Sequence, residues 1–327
     1  MAKLAAFGEA MLRLTPPRHY RLEQSSTLEA RVAGGEYNVA VALARLGVDT
    51  AFVTRLPDNP LGRMMVNRCR EHGVDSSDCT WSKQDRAGVY FIEQGAAPRA
   101  SSVLYDRRES AMSRIEPGEI NWPRIFAQCQ WFHFTGVTPA LSHSAAETCE
   151  EALCEAQDAG ASVCFDLNYR AKLWSEAQAR ETLSPLMQYV QHFVGSRDAV
   201  SAIFDIHGDD KSVMEKLRDV FGFQSVLFNQ RRDLQYRMQR ISAAALYNGA
   251  FYESPSFEME VVDRVGGGDS FTAGYLYGLI NHDIQRGLSI GAAYSALKHT
   301  HPGDLNWSTL HDAERLLSNN DALRIER

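Results

Sequence analysis

The sequence predicts an α/β protein: one domain over residues 1–327, built on a doubly wound, mostly parallel sheet and carrying a small β-sheet lid. Three observations predict this. Short apolar segments alternate with helical stripes along most of the chain. That rhythm breaks near residues 88–107, where two strand-like segments follow one another without a convincing helix between them. Two helices, finally, are each opened by a glycine cluster, Gly34-Gly35 and Gly266-Gly267-Gly268. With 327 residues, 44% of them hydrophobic, the chain can bury a sizeable core.

Leu4 to Gly8 reads as a short apolar strand, and Met11 to Leu14 continues with alternating apolar positions until Pro16-Pro17 ends it. After Gly34-Gly35 the residues Val39, Ala42, Leu43 and Leu46 form a helical stripe closed by Gly47. Ala51 to Thr54 is a buried strand, and a helix over Leu61 to His72 stops at Gly73. Gly88 to Ile92 and Ser102 to Arg107 read as an antiparallel pair in the separate sheet. The lid strands are placed at about 11–16, 29–34, 87–93 and 102–107. The βα rhythm returns with strand Trp131–Gly136, helix Ser142–Ala159 and strand Ser162–Asp166, whose end sets Asp166-Leu167-Asn168-Tyr169-Arg170 at the carboxyl edge of the sheet, where such sheets bind ligands. A helix to about Tyr189, strand His192–Gly195, helices through Phe204 and Phe221, strand Ser225–Phe228 and short β segments around Tyr236, Leu246 and Phe251 follow. Val261-Val262 reads as a buried strand leading into the second glycine cluster. Helices over Ser270 to about Asn281 and Gly287 to His299 then lead to a polar tail ending in a helix.

Composition excludes several function classes. A net charge of −7 argues against a nucleic-acid partner, which needs clustered positive charge. No apolar run approaches the ~18 residues that span a membrane, and Met1 to Glu9 lacks a signal-type stretch, so a cytoplasmic protein without a membrane partner is expected. The six cysteines, at unrelated spacings, are expected to be reduced small hydrophobes.

The chemistry concentrates at Asp263-Arg264-Val265-Gly266-Gly267-Gly268-Asp269. Phe271, Gly274, Tyr275, Gly278 and Leu279 follow the spacing of a packed helical face, which places the glycines at a helix N-terminus. Amide N–H groups and the positive helix end then converge on one point, an anion site. Asp269 has two readings: a base beside that anion site, or merely the helix N-cap. No GxxxxGK[ST] loop, GxGxxG order, GxSxG elbow or HExxH helix is present.

Gly34-Gly35-Glu36-Tyr37-Asn38 together with Asp263 to Asp269 resembles the two signatures of the ribokinase-like (PfkB) sugar kinases, over most of the chain. The resemblance implies a ribokinase-like fold, ATP and Mg2+ as cofactors, and a homodimer formed through the lid sheet; it leaves the metal-binding residues unknown and a monovalent cation requirement open. It also implies Asp269 as general base with Gly266, Gly267 and Gly268 as anion hole.

Gly8-Glu9-Ala10-Met11, Tyr90, Tyr105-Asp106-Arg107, Ser110 to Ser113, Asp166 to Arg170 with Leu173-Trp174, and Pro302-Gly303-Asp304 look like the 2-keto-3-deoxygluconate kinases within that family. That implies phosphorylation of a keto-deoxy sugar acid at its C6 hydroxyl, with Gly34, Gly35, Asn38, Tyr90, Tyr105, Arg107, Asn168, Arg170 and Asp269 around the sugar. Arg107 and Arg170 suit the substrate carboxylate, since a guanidinium fork binds carboxylate through paired hydrogen bonds. Ser196, Asn229, Arg231, Gly266 and Gly268 are implied on the nucleotide side. Two departures stand there: Gly195-Ser196-Arg197-Asp198 replaces an Asn and Glu arrangement, and Asn229 replaces a threonine. The alternatives are a fructokinase or other sugar kinase and, in another class, a catalytically weak sugar-binding regulator.

Overall fold

A computed structural model describes residues 4–234 and 237–318. Its main sheet has nine strands. From one edge they run Ala250–Glu253, Met238–Tyr247, Ser225–Asp233, His192–Gly195, Ser162–Asp166, Trp131–Thr135, Leu4–Phe7 and Thr50–Val53, and Phe257–Glu260 also pairs with Met238–Tyr247. Pairing is parallel from Ser225–Asp233 to Thr50–Val53, and the edge beyond Ser225–Asp233 is antiparallel.

The period of two along each strand sends neighbouring side chains to opposite faces. Leu4 and Ala6 enter one core, packed under helices Gly35–Arg45, Pro60–Glu71, Gly267–Ile280 and Ile284–His299. Ala5 and Phe7 enter the other, under helices His143–Asp158, Glu176–Leu186, Arg197–Phe204 and Asp210–Phe221. Helices therefore cover both faces, as a doubly wound sheet requires.

The separate sheet has the order Glu29–Ala33, Met11–Thr15, Gly88–Glu93, Ser102–Asp106. Its last two strands are antiparallel as expected, but Met11–Thr15 and Gly88–Glu93 run parallel, so the sheet is mixed. Only Gly8 to Ala10 separate Met11–Thr15 from strand Leu4–Phe7, which places this sheet at the carboxyl edge of the main one.

Val261-Val262 is not strand. The pairing partner Met238–Tyr247 begins opposite Glu260. Val261 still gives its N–H to the Arg237 carbonyl at 2.8 Å, but Val262 turns away, donates its N–H to the His299 carbonyl at 2.8 Å and leaves its side chain exposed. Phe271, Gly274, Tyr275, Gly278 and Leu279 are buried on helix Gly267–Ile280. A Cβ on Gly274 would come within 2.4 Å of the Gly291 Cα, and one on Gly278 within 2.3 Å of the Gly287 Cα, so glycines on both helices permit their close packing. Tyr236 lies outside the described residues. Five cysteines are buried and free as expected, whereas Cys154 is exposed.

Candidate active site

Two cavities meet at the N-terminus of helix Gly267–Ile280. One, of about 540 Å³, lies between the carboxyl edge of the main sheet and the small sheet. Gly34, Gly35, Asn38, Tyr90, Tyr105, Arg107, Asn168, Arg170 and Asp269 all line it. The other, of about 530 Å³, is lined by Gly267, Phe228, Ile241 and His299 among others. Ser196, Asn229, Arg231 and Gly268 border both. Both volumes suit small-molecule ligands.

Asp269 is not the N-cap. Gly266 occupies that place with φ +84°, and Asp269 stands three residues further on, its carboxylate held by Asn38 Nδ2 at 2.7 Å. Nor does Asn38 cap its own helix. Since a carboxylate can only accept, the Asn38 amide must present its N–H to Asp269, and its Oδ1 remains buried without a partner.

Burial first, then the nearby Asp166 and Asp304 charges, push the Asp269 carboxyl up to about 7, against the Asn38 hydrogen bond and the Arg170 charge. Burial likewise raises Asp166 to about 6, although its oxygens accept the Asn168 N–H at 3.0 Å and the Thr272 hydroxyl at 3.4 Å. Two half-buried acids thus share this wall of the cavity with the guanidinium of Arg170.

The glycine turn is shaped by its surroundings. A Cβ on Gly266 would fall 1.8 Å from the Asp304 carbonyl oxygen, and one on Gly267 would strike the His299 ring at 2.2 Å. Gly268 faces open space. The first amides of a helix lack intrahelical carbonyl partners, so this turn offers donors to an anion. Beside it, the Val265 N–H is held by Asp263 Oδ1 at 3.1 Å, and the Gly267 N–H makes a long 3.4 Å contact with the Arg264 carbonyl. Gly266→Ala is expected to fail to fold stably. Gly268→Ala should keep or raise the melting midpoint, since alanine is favoured over helical glycine by ~0.5–1 kcal/mol. It should nonetheless weaken ADP binding ~10-fold, or ~1.4 kcal/mol. Calorimetry on the Gly268 variant checks this, and unchanged ADP affinity would remove the turn from the phosphate site.

The two arginines differ. Arg107 is buried and gives Nε to Glu9 Oε2 at 2.8 Å, its Nη2 contacting the same oxygen. It also lies over the Tyr105 ring, which stacks on Tyr90 at 5.7 Å. Arg170 is exposed and, among the described residues, donates to two backbone carbonyls, those of Asn168 and Tyr169. Among the described residues no carboxylate pairs with it. Tyr90 directs its hydroxyl to Asp304 in a buried contact, whereas Tyr105 is 37% exposed.

On the second cavity, Ser196 caps helix Arg197–Phe204 by accepting the Ala199 N–H at 3.3 Å, and Asn229 keeps a buried Oδ1 without a partner. The His299 Nδ1 donates to the Ser295 carbonyl at 2.7 Å, and the Ser295 hydroxyl donates to the Gly267 carbonyl at 2.8 Å, bracing the turn from behind. Among the described residues no group of three or more histidine, cysteine or acidic side chains is placed to hold a metal ion.

Sequence reasoning about site residues passed over Glu9, Glu36, Asp166 and Asp304. Glu36 is buried, its carboxyl raised by burial, and accepts from the Thr135 and Thr138 hydroxyls at 2.8 and 2.7 Å. It thereby fastens the Gly34-Gly35 turn to the main sheet. All four stand inside the motifs quoted above, Gly8-Glu9, Gly34 to Asn38, Asp166 to Arg170 and Pro302-Gly303-Asp304, and Asp166 is marked further by its place at a strand's carboxyl end.

The pfkB family carbohydrate kinase profile matches residues 1–310. The chain belongs to this family. These carbohydrate kinases are ATP-dependent, and their fold, with a mostly parallel sheet and a separate small one, is the one described above. The chain is 40% identical over 322 residues to a 2-dehydro-3-deoxygalactonokinase of Haloferax volcanii, covering 98% of each protein. It is 29% identical over 304 residues to a 2-dehydro-3-deoxygluconokinase of Thermoproteus tenax, covering 91% of this chain and 88% of that one. The crystal structure of the Thermotoga maritima 2-dehydro-3-deoxygluconokinase superposes with a TM-score of 0.93 at 36% identity, covering 97% of this chain and 98% of that one. No helix among the described residues is long and apolar enough to cross a membrane.

Proposed function

We propose that this carbohydrate kinase phosphorylates a 2-keto-3-deoxy sugar acid, 2-keto-3-deoxygluconate, on its C6 hydroxyl. The observation that carries the reading is the placement of a guanidinium without an acidic partner, Arg170, in the same cavity as Asp269. A neutral hexose offers Arg170 no counter-charge, and a carboxylate does. The names of the similar proteins, each a kinase of a keto-deoxy sugar acid, support the same class.

In this reading the sugar lies between the main sheet and the small sheet, which acts as its lid. Asn38 Oδ1 and Asn168 meet hydroxyls, and Arg170 takes the carboxylate. Arg107, already paired with Glu9, supports the wall beside Tyr105. Ionised Asp269 accepts the proton of the primary hydroxyl while that oxygen attacks the γ-phosphorus and the bond to ADP breaks, a positioned-base contribution of ~10²–10⁴-fold. The amides of the Gly266–Gly268 turn face the charge that develops on the phosphoryl oxygens, at ~3 kcal/mol for a well-aimed donor. A magnesium ion bound together with ATP would supply positive charge against the phosphates. Ser196, Asn229 and Arg231 border the passage between the two cavities and are assigned to the nucleotide.

A panel of sugars with ADP release as readout tests the substrate. The keto-deoxy acid should be turned over far better than fructose or ribose, and Arg170→Ala should raise KM at least ~10-fold for the acid, the ~1.4 kcal/mol of a lost ionic contact. Neutral hexoses turned over as well as the acid, or an equal KM rise for both, would refute the assignment.

A further inference from the structure

One buried charge has no part in that chemistry. Lys298, in the last turn of helix Ile284–His299, has no exposed surface. Its ammonium lies 3.4 Å from the carbonyl oxygen of Asp263 and 3.4 Å from that of His301, and among the described residues no carboxylate reaches ion-pair distance. Contacts of this length are weak as hydrogen bonds, so the attraction is chiefly that of a charge for two carbonyl dipoles. Burying an ammonium without a carboxylate partner is expensive.

The two carbonyls belong to the loops that flank the anion turn. Asp263 opens the segment leading into Gly266 and accepts the Val265 N–H. His301 opens the loop whose Asp304 carbonyl abuts Gly266. The charged and titratable groups facing the ammonium are Asp263, Asp304 and Asp269, which favour its proton, Arg13, which opposes it, and the neighbouring His299 and His301, which burial keeps neutral at pH 7. Burial lowers the Lys298 ammonium to about 8, which leaves it mostly protonated at pH 7.

We propose that Lys298 is a built-in cation: by joining the carbonyls of Asp263 and His301 it holds the Gly266–Gly268 turn in its anion-receiving shape, and the turn therefore needs no loose monovalent ion. Lys298 is a positioning residue, touching neither substrate nor nucleotide. The inference rests on the turn's role as phosphate site and not on which sugar is used.

The test reads ADP binding by calorimetry and the thermal midpoint of the whole protein, both with magnesium chloride, in potassium chloride and in tetramethylammonium chloride at equal ionic strength. ADP affinity equal within about twofold, and equal midpoints, are expected, because an ion that bound the native state would stabilise it by mass action. ADP binding tightened, or the midpoint raised, specifically by potassium would overturn the proposal. Lys298→Met should bind ADP at least ~10-fold more weakly, by ~1.4 kcal/mol, with sugar affinity intact and part of the loss restored by added ammonium ions. A folded Lys298→Met with wild-type ADP affinity would also overturn it. If that variant does not fold, the ion comparison on the wild type decides alone. Wild-type protein that binds no ADP would overturn the phosphate-site reading, and this inference with it.

Discussion

Asp269→Asn is expected to lower kcat by at least ~100-fold while leaving the dissociation constant for the sugar acid within about threefold, because the substitution removes a general base and keeps the shape of the site. Asn38 can turn its amide to meet the new side chain, so the cavity wall survives. The wild-type pH profile supplies a second check. With the carboxyl at about 7, kcat/KM should fall with unit slope on the acid side of that value and level off above it.

The sign of the stability effect follows from the same shift. Between the ordinary aspartate value of 3.8 and about 7, the folded protein holds a proton that the unfolded chain has released. Stability conferred by this group therefore declines as pH rises through that window and is constant above it. Asp269→Asn should accordingly gain stability relative to wild type at pH 8 compared with pH 5, a trade of function for stability at a site shaped for chemistry. Retained turnover, or a profile flat from pH 5 to 8, would remove Asp269 from the base role, whereas wild-type protein without measurable activity on any sugar would favour the weakly catalytic regulator.

Arg13→Met should be strongly destabilising, with a loss of ~3–5 kcal/mol, because it strands two buried carboxylates. Arg13 is 1% exposed and lies 2.5 Å from both Asp263 and Asp304. Asp304 also takes the Tyr90 hydroxyl, and Asp263 accepts the Gly303 N–H at 3.0 Å and the Nε2 amide N–H of Gln94, at the neighbouring strand end, at 3.3 Å. Strands of the small sheet are thereby fastened to both loops beside the glycine turn. Urea denaturation measures the loss, and Arg13→Met combined with Asp263→Asn and Asp304→Asn should recover part of it. A loss below ~1 kcal/mol would mean the network is no stronger than a surface ion pair.

The alternation of apolar strands and helical stripes is visible residue by residue because it reflects two fixed periods, 2.0 and 3.6, and it determined the doubly wound sheet. The break in that alternation near residues 88–107 determined the second sheet. The glycine turn was legible for a similar reason: few residues other than glycine tolerate the φ of +84° at Gly266. Boundaries that depend on a partner were not: the ladder ends at Glu260, and Val262 gives its N–H to the His299 carbonyl at a helix end instead of to a neighbouring strand.

Pairings between distant residues were decided by tertiary structure alone. Sequence offered both Arg107 and Arg170 for the carboxylate, and folding paired the first with Glu9, 98 positions away, leaving the second without an acid at ion-pair distance among the described residues. Sequence left Asp269 between cap and base, and folding set Asn38 against it across 231 positions and buried it near Asp166 and Asp304. Local pattern records which face of an element is apolar. The proton affinity of a carboxylate depends on desolvation and on charges brought near from elsewhere in the chain, and only the folded arrangement determines those.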